Sequence, residues 1–486
     1  MCGFVGCFGE VDERVKNLKN LIFHRGPDQQ KFFKGDNWSI QFNRLSIIDL
    51  SEDAMQPFTH KDITIFINGE IYNYIELRDR YSKEFRCKTS SDVEILPFLY
   101  KKYGLDFLNL INGMFSLVII DKNKNKFFMV RDRFGKKPLF YFLQKDKLYF
   151  SSEIKGLENF INLKINKDNL ALNLIANLNI EPLTVFEDIE SVLPGFAYEY
   201  NNKKIYKIRW YKPKIQKLNE NYDLIEKKFY ELSNSSINYR LRSDVPIGIF
   251  LSGGLDSNHI LNIANKNYKN LLALICEIPG KEKMSNNNTD VVNQEKICKQ
   301  INCKYKKITL DFNFLNKNLM KMISDYDVPI PGTGHFMFNA LSEEAKKNNL
   351  KVILIGGGGD EISGGYPWQN KLNYVPNFFY RNNNMFLNFL RFILQKVFHN
   401  KNFFTMKIFK FLQLFLDPAV YHVESHGSNA SFFMKDVYFN IQKKIRNTYS
   451  QYLKLSESTF NFSDKNTVDF RNIFITLASQ NYFFDQ

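Results

Sequence analysis

The stretch that most constrains the fold is Ser252-Gly253-Gly254-Leu255-Asp256-Ser257. An apolar run at 245–251 precedes it and reads as a short buried strand. After it, Ile260, Leu261, Ile263 and Ala264 recur at helical spacing across 258–265. The order is therefore strand, glycine turn, helix. Glycines let backbone N–H groups approach an oxyanion closely, and a helix N-terminus adds a favourable dipole. Ser252 and Ser257 supply hydroxyl donors. A bare phosphate would repel Asp256, so its carboxylate is expected to hold a magnesium ion against that phosphate. No Gly-Lys-Ser/Thr follows the turn, which excludes a Walker loop.

With its Asp-Ser ending, the loop resembles the pyrophosphate loop of the ATP pyrophosphatases. Those enzymes cleave ATP to AMP and pyrophosphate while adenylating a substrate. The resemblance implies that Leu251, Ser252, Gly253, Gly254, Leu255, Asp256 and Ser257 bind ATP and pyrophosphate. The residues that follow alternate: a β run at 271–278, a helix at 295–301, a strand at 305–310, a loop with two prolines at 325–331, a helix at 336–348 and a buried strand at 351–355. Such alternation implies a parallel sheet covered on both faces, with ligands at the carboxyl ends of the strands. The last strand runs into Gly356-Gly357-Gly358-Gly359-Asp360-Glu361-Ile362-Ser363-Gly364-Gly365-Tyr366. This second glycine turn is expected to close over the same phosphates. It adds Ile355 and Gly356 to the nucleotide site and Asp360 as a second magnesium ligand beside Asp256.

The N-terminal third carries a different set of signals. Methionine aminopeptidase is expected to remove Met1, because Cys2 has a small side chain. Cys2 then bears both a thiol and a free α-amine, whose pKa of about 8 suits it to act as the local base. Five further blocks follow. They are His24-Arg25-Gly26-Pro27-Asp28, a charged turn; Arg44-Leu45-Ser46-Ile47-Ile48-Asp49, which alternates like a strand; Asn68-Gly69-Glu70-Ile71-Tyr72-Asn73, after a β run at 63–67; Ser90-Ser91-Asp92-Val93-Glu94, which opens a helix with Ser91 or Asp92 as cap; and Arg131-Asp132-Arg133-Phe134-Gly135-Lys136-Lys137-Pro138-Leu139, before a strand. Ser151-Ser152-Glu153 closes the series.

Taken together, residues 2–200 resemble the class II glutamine amidotransferase domain. The resemblance implies an N-terminal-nucleophile α-β-β-α sandwich that hydrolyses glutamine to glutamate and ammonia. Carried onto this chain, it makes Cys2 the nucleophile and Asn68 and the Gly69 N–H the oxyanion hole. Arg44 would clamp the glutamine carboxylate, and Asn68, Glu70 and Asp92 would complete the glutamine site, the two carboxylates receiving its amine. Each role suits its chemistry: an oxyanion needs pre-placed donors, a carboxylate an arginine fork and an ammonium acidic partners.

Residues 201–222 are polar and basic and read as a connector. A helix is expected over 223–242, with Leu224, Ile225, Phe229, Leu232 and Ile237 at apolar spacing. The half from 223 to 486 is similar to the synthetase domain of the glutamine-hydrolysing asparagine synthetases. The implied fold is a sandwich followed by a doubly wound parallel sheet with C-terminal helices. The implied substrates are glutamine, ATP with Mg2+, and aspartate, which is adenylated on its β-carboxylate and receives ammonia through a tunnel. Three departures bear on this. Gly357 stands where the family usually has an acidic proton acceptor. Residues 281–289 match the family poorly. The chain ends at Gln486, where the family continues with a lysine that stabilises the acyl-adenylate; a fragment or a shortened homologue is expected. These departures keep two alternatives open: amidation of another carboxylate, such as a uronic acid in surface-polysaccharide assembly, or a homologue that does not synthesise.

The net charge of +15 reads as a lysine-rich solvated surface with an anion site, since no nucleic-acid motif accompanies it. No run reaches the roughly 18 apolar residues of a membrane helix, although 385–416 mixes Phe and Leu with Lys and Arg in a region expected to be helical. The six cysteines show no paired metal spacing, and neither they nor the N-terminus suggest secretion, so a cytoplasmic protein is expected. A homodimer is compatible with the resemblance.

Overall fold

Alternating apolar residues fold the first 210 residues into twelve strands among those described. The structure is a computed structural model that describes residues 2–176, 181–213, 221–278, 287–329 and 333–363. The strands are β1 (Gly3–Phe8), β2 (Gln29–Lys34), β3 (Trp38–Arg44), β4 (Phe58–His60), β5 (Ile63–Ile71), β6 (Gly113–Asp121), β7 (Lys126–Arg131), β8 (Phe140–Gln144), β9 (Lys147–Ser151), β10 (Glu190–Ser191), β11 (Phe196–Asn201) and β12 (Lys204–Arg209). One sheet has the order β10-β8-β9-β1-β3-β2, the other β12-β11-β7-β6-β5-β4. Phe4, Phe8, Phe42 and Phe150 of the first sheet meet Phe66, Val118, Phe127 and Tyr198 of the second in one buried layer. Burying each such ring contributes about 2–3 kcal/mol.

Both outer faces are covered. Ile63, Ile65 and Ile67 of β5 pack against Leu96, Leu99 and Phe107, from helix α2 (Leu96–Tyr103) and the turn after it; α1 (Tyr74–Tyr81) adds Leu77 and Tyr81. On the other side, Val5 and Cys7 face Val15, Leu18 and Leu157, which lie on the 3-10 helices Glu13–Asn20 and Ile154–Leu157. β1 is thus buried on both faces, which fixes the strand that follows Cys2.

Three local expectations change. The alternating stretch 44–49 is not a strand. β3 ends at Arg44, whose guanidinium donates to the carbonyls of Ile48, Asp49 and Ser51 and folds the next residues into a loop around itself. Asp92 caps no helix. Its carboxylate accepts from Ile71 N at 2.7 Å, and α2 begins only at Leu96. The expected connector also starts too early at 201, because β12 pairs along its length with β11 and Trp210 stacks on Phe115 at 6.2 Å.

The second half holds a parallel sheet of order β15-β14-β13-β16, built from β13 (Ile247–Leu251), β14 (Leu272–Glu277), β15 (Lys304–Thr309) and β16 (Val352–Leu354). Helix α3 (Lys167–Ala176) belongs to the first half, where Asn169 Nδ2 donates to Thr184 O at 2.9 Å; the helices of the second half are α4 (Tyr222–Arg240), α5 (Leu255–Asn267), α6 (Asn287–Gln300), α7 (Phe312–Asp325) and α8 (Thr333–Lys347). Ile249 and Ile275 face Leu261 of α5 and Cys298 of α6. Phe250 and Leu274 face Leu341 and Ala345 of α8 on the opposite side. Both faces of the sheet are therefore covered, as the continuous apolar strands require.

Helix α7 had no counterpart in the sequence reading; Asp311 caps it by accepting from Phe314 N at 2.8 Å. Helix α4 forms as expected, but of its apolar positions Ile237 is buried while Leu224, Phe229 and Leu232 stand exposed. Residues Gly364-Gly365-Tyr366, the helical region expected beyond 371 and the divergent residues 281–286 lie outside the described residues. Among the described residues, no helix is long and apolar enough to cross a membrane.

Candidate active site

Cys2 sits at the start of β1, buried against the two-sheet core. Its Sγ is bracketed by Leu45, whose N–H donates to the sulfur at 3.4 Å and whose carbonyl lies 3.7 Å away as acceptor for the thiol. Burial pushes the thiol pKa up; the Leu45 hydrogen bond and the charge of Arg44 pull against that, and Glu70 adds to it. The Cys2 carbonyl accepts from Arg25 Nε at 3.1 Å, and Arg25 Nη1 reaches Glu153 at 2.7 Å. Glu153 also meets His24 at 2.8 Å and is held down at about 2, its burial outweighed by the hydrogen bond with His24 and the charge of Arg25.

The end of β5 supplies three adjacent groups. Asn68 is fully buried, and neither its amide nitrogen nor its amide oxygen has a hydrogen-bond partner in the structure. A buried amide left so costs about 1–3 kcal/mol, and such groups cluster where a ligand satisfies them. Gly69 has no space for a side chain: a Cβ there would collide with Met114 O and stand 2.7 Å from Phe115 Cα. Next to it, burial and the charge of Asp92 push Glu70 well above the usual carboxylate range. Asp92 is itself pushed up to about 6, chiefly by burial, despite the Ile71 N–H that it accepts. Lys137, also buried, is drawn down to about 8 by burial and Arg25, with Glu70 opposing.

Cys2, Arg44, Glu70 and Asp92 therefore act on one another electrostatically, and Asn68 and Gly69 lie on the same strand as Glu70. Arg25, Glu153 and Lys137 are additions that sequence reasoning quoted in its motifs without giving them roles. The signal was the charge density around Gly26-Pro27 and Gly135, where a buried turn needs ionic partners.

The Asp92 and Glu70 pair has a measurable consequence for stability. Asp92 carries a folded pKa of about 6 against an ordinary 3.8. Its ionisation therefore opposes folding, with no cost below about pH 4 and the full cost above about pH 6. Asp92→Asn keeps the acceptor for Ile71 N, and calorimetry should show a higher melting temperature at pH 8 and little change at pH 4.

The second cluster lies where the sheet order reverses. β13 is flanked by β14 and β16, and the loops after β13 and β16 meet at their carboxyl ends, the usual place for ligands in such sheets. α5 starts at Leu255, so Asp256 and Ser257 occupy its first turn. Gly253 adopts φ +85°, which only glycine takes at no cost. Ser257 is buried; its Oγ lies 3.1 Å from Ser252 Oγ and donates to Gly254 O at 3.1 Å.

The second glycine loop fits against the first. A Cβ on Gly356 would be 2.8 Å from Ser257 N, and one on Gly359 would strike the Asp256 carboxylate. Burial, and then the charge of Asp360 on the short helix α9 (Gly359–Ser363), raise the Asp256 pKa. Two carboxylates that repel each other suit a divalent cation. Among the described residues no group of three or more metal-ligating side chains forms, so other ligands would come from phosphate and water. Leu251 ends β13, and Leu255, Ile355 and Gly357 border the same loops; Leu255 and Gly357 are exposed.

Comparison with known proteins agrees with this division. Residues 1–211 match a family model described as a glutamine amidotransferase domain, and residues 228–413 match one described as asparagine synthase. Glutamine-hydrolyzing asparagine synthetase 1 of Bacillus subtilis is 33% identical over 380 residues, which cover 75% of this chain and 59% of that protein. Putative glutamine-hydrolyzing asparagine synthetase 2 of Methanocaldococcus jannaschii is 32% identical over 409 residues, covering 75% of this chain and 76% of that protein. Amidase chry2 of Gibberella zeae is 30% identical over 389 residues, covering 74% of this chain and 56% of that protein. The chain belongs to the glutamine-hydrolysing asparagine synthetase family.

Proposed function

We propose that this chain is a glutamine-dependent, ATP-dependent amidotransferase whose default acceptor is the side-chain carboxylate of aspartate. The observation that carries the reading is the interlock of two glycine loops at the switch point of a sheet joined directly to the half that holds Cys2. In the first half, Cys2 Sγ attacks the glutamine amide carbon, forms a thioester and releases ammonia; water then yields glutamate. Asn68 and the Gly69 N–H receive the oxyanion, which gives the unpartnered Asn68 amide its use. Arg44 takes the α-carboxylate, and Glu70 with Asp92 takes the α-amine. Protonation of that pair as pH falls through about 6 should raise the KM for glutamine.

In the second half, residues 251–257 with Ile355 and Gly356 bind ATP. The acceptor carboxylate attacks the α-phosphorus, pyrophosphate leaves, and ammonia displaces AMP from the acyl-adenylate. Asp256 and Asp360 are the residues that would hold Mg2+, which supplies charge neutralisation to the leaving pyrophosphate. All six cysteines are free, which supports a reducing, cytoplasmic setting.

Gly357 favours a second reading of the acceptor. With no side chain it offers no proton acceptor to an attacking amine at that point of the loop, which supports another carboxylate such as a uronic acid. One assay separates the readings. Pyrophosphate release from ATP with glutamine is measured with and without L-aspartate, and asparagine is quantified. Aspartate-dependent release matched by asparagine supports the main reading. Glutamate without aspartate-dependent pyrophosphate moves the search to other acceptors.

A further inference from the structure

We infer that Lys351, a side chain of the synthetase half, is a positioning residue for the glutamine-hydrolysing centre in the other half; this rests on the reading of Cys2 as its nucleophile. Lys351 immediately precedes β16, and its Nζ lies 2.7 Å from Asp28 Oδ2. The same carboxylate oxygen accepts from Ser46 N at 2.7 Å, and Lys351 Nζ is 3.5 Å from Ser46 O. The backbone of Asp28 donates to Arg44 O at 3.1 Å. Asp28 thus ties down both neighbours of Leu45, the residue whose N–H and carbonyl bracket Cys2 Sγ.

A second anchor comes from the residues before β13. Asp244 Oδ2 accepts from Asp49 N at 2.7 Å, and Asp244 N donates to Ile47 O at 3.0 Å. Ile47 and Ile48 pack against Val245 and Val352. The loop that frames the sulfur and wraps the Arg44 guanidinium is therefore held from outside its own domain. Of these anchors, the Lys351 cation is the one that holds the bond nearest Leu45. Without it, the Asp28 carboxylate loses its charge partner and its fixed orientation toward Ser46.

The test uses the full chain with Lys351→Met and Lys351→Arg. For Lys351→Met, kcat/KM for glutamate formation from glutamine should fall about fivefold, the scale of a partly exposed ion pair. Lys351→Arg should restore most of it, and 0.5 M salt should lower the wild type toward the Met variant. Iodoacetamide, followed by mass spectrometry, should alkylate Cys2 faster in Lys351→Met, with Cys7 on the same strand unchanged. Unaltered kcat/KM together with unaltered Cys2 alkylation overturns the inference. So does an equal loss in both variants with a lowered melting temperature and labelling of all cysteines, which marks a structural role only. If the wild type forms no glutamate, the nucleophile reading has failed on its own, and equal Cys2 alkylation in wild type and Lys351→Met still overturns the positioning role.

Discussion

Cys2→Ala is expected to lower the proposed glutamate formation from glutamine by about 10³-fold or more and to leave pyrophosphate release driven by added ammonia in place. The thiol is buried and its pKa raised, so at neutral pH it is mostly protonated. It needs a base within reach. The α-amine of Cys2, once free, has a pKa of about 8 and is the nearest group suited to that work. Other thiols do not substitute. Cys7 points to the opposite face of β1 and is pushed up to about 12 by burial and by Asp12 and Glu10. Alanine removes one atom from a site edged by the Leu45 backbone, so the fold should survive. The paired assay reads glutamate and pyrophosphate from one preparation. Residual glutamate within tenfold of wild type would place the nucleophile elsewhere.

Asp256→Asn is expected to cut the proposed pyrophosphate release by about 10²-fold while glutamine hydrolysis continues, the scale expected for loss of a charge that organises a phosphoryl site. Asparagine matches the carboxylate in size, which matters because Gly359 leaves no slack beside it. Unfolding does not explain such a loss. The folded pKa of Asp256 is raised, so its ionisation opposes folding above the ordinary range, and the neutral amide should melt no lower than wild type at pH 7. A magnesium titration gives the decisive readout. The variant should need more Mg2+ for half-maximal rate, and an unchanged requirement would remove Asp256 from the cation site.

The loop at 252–257 was legible because an apolar strand, a glycine pair and a helical period adjoin in sequence. The strand start shifted from 245 to 247 and the helix start from 258 to 255, the latter since Asp256 and Ser257 fill a first turn without joining the apolar face. The loop after Arg44 was misread as a strand for the opposite reason. Its apolar residues Ile47 and Ile48 are buried against Val245 and Val352, some 200 and 300 positions away, and local alternation carries no trace of that partner. The groups of the proposed glutamine site stand in motifs that the sequence displays, but the tie from Glu153 through Arg25 to the Cys2 carbonyl joins residues more than a hundred positions apart. Helix α7 escaped notice because Asn313, Asn316, Lys317, Asn318 and Lys321 interrupt its apolar positions and Phe312, Met320 and Ile323 stay exposed, although Phe314 and Leu315 pack toward the sheet and Met322 is buried.

The pairing of β12 with β11 bears on how the molecule can be cut. A fragment ending at 200 would expose the whole edge of β11, with Phe196, Tyr198 and Tyr200 beside unpaired backbone donors and acceptors. Such an aromatic edge is a template for adding strands from other chains. In the intact chain, β12 lays Lys204, Lys207 and Arg209 along that border instead. Charge there makes edge-to-edge stacking of copies unfavourable, so the last strand of the sandwich doubles as a guard against self-association.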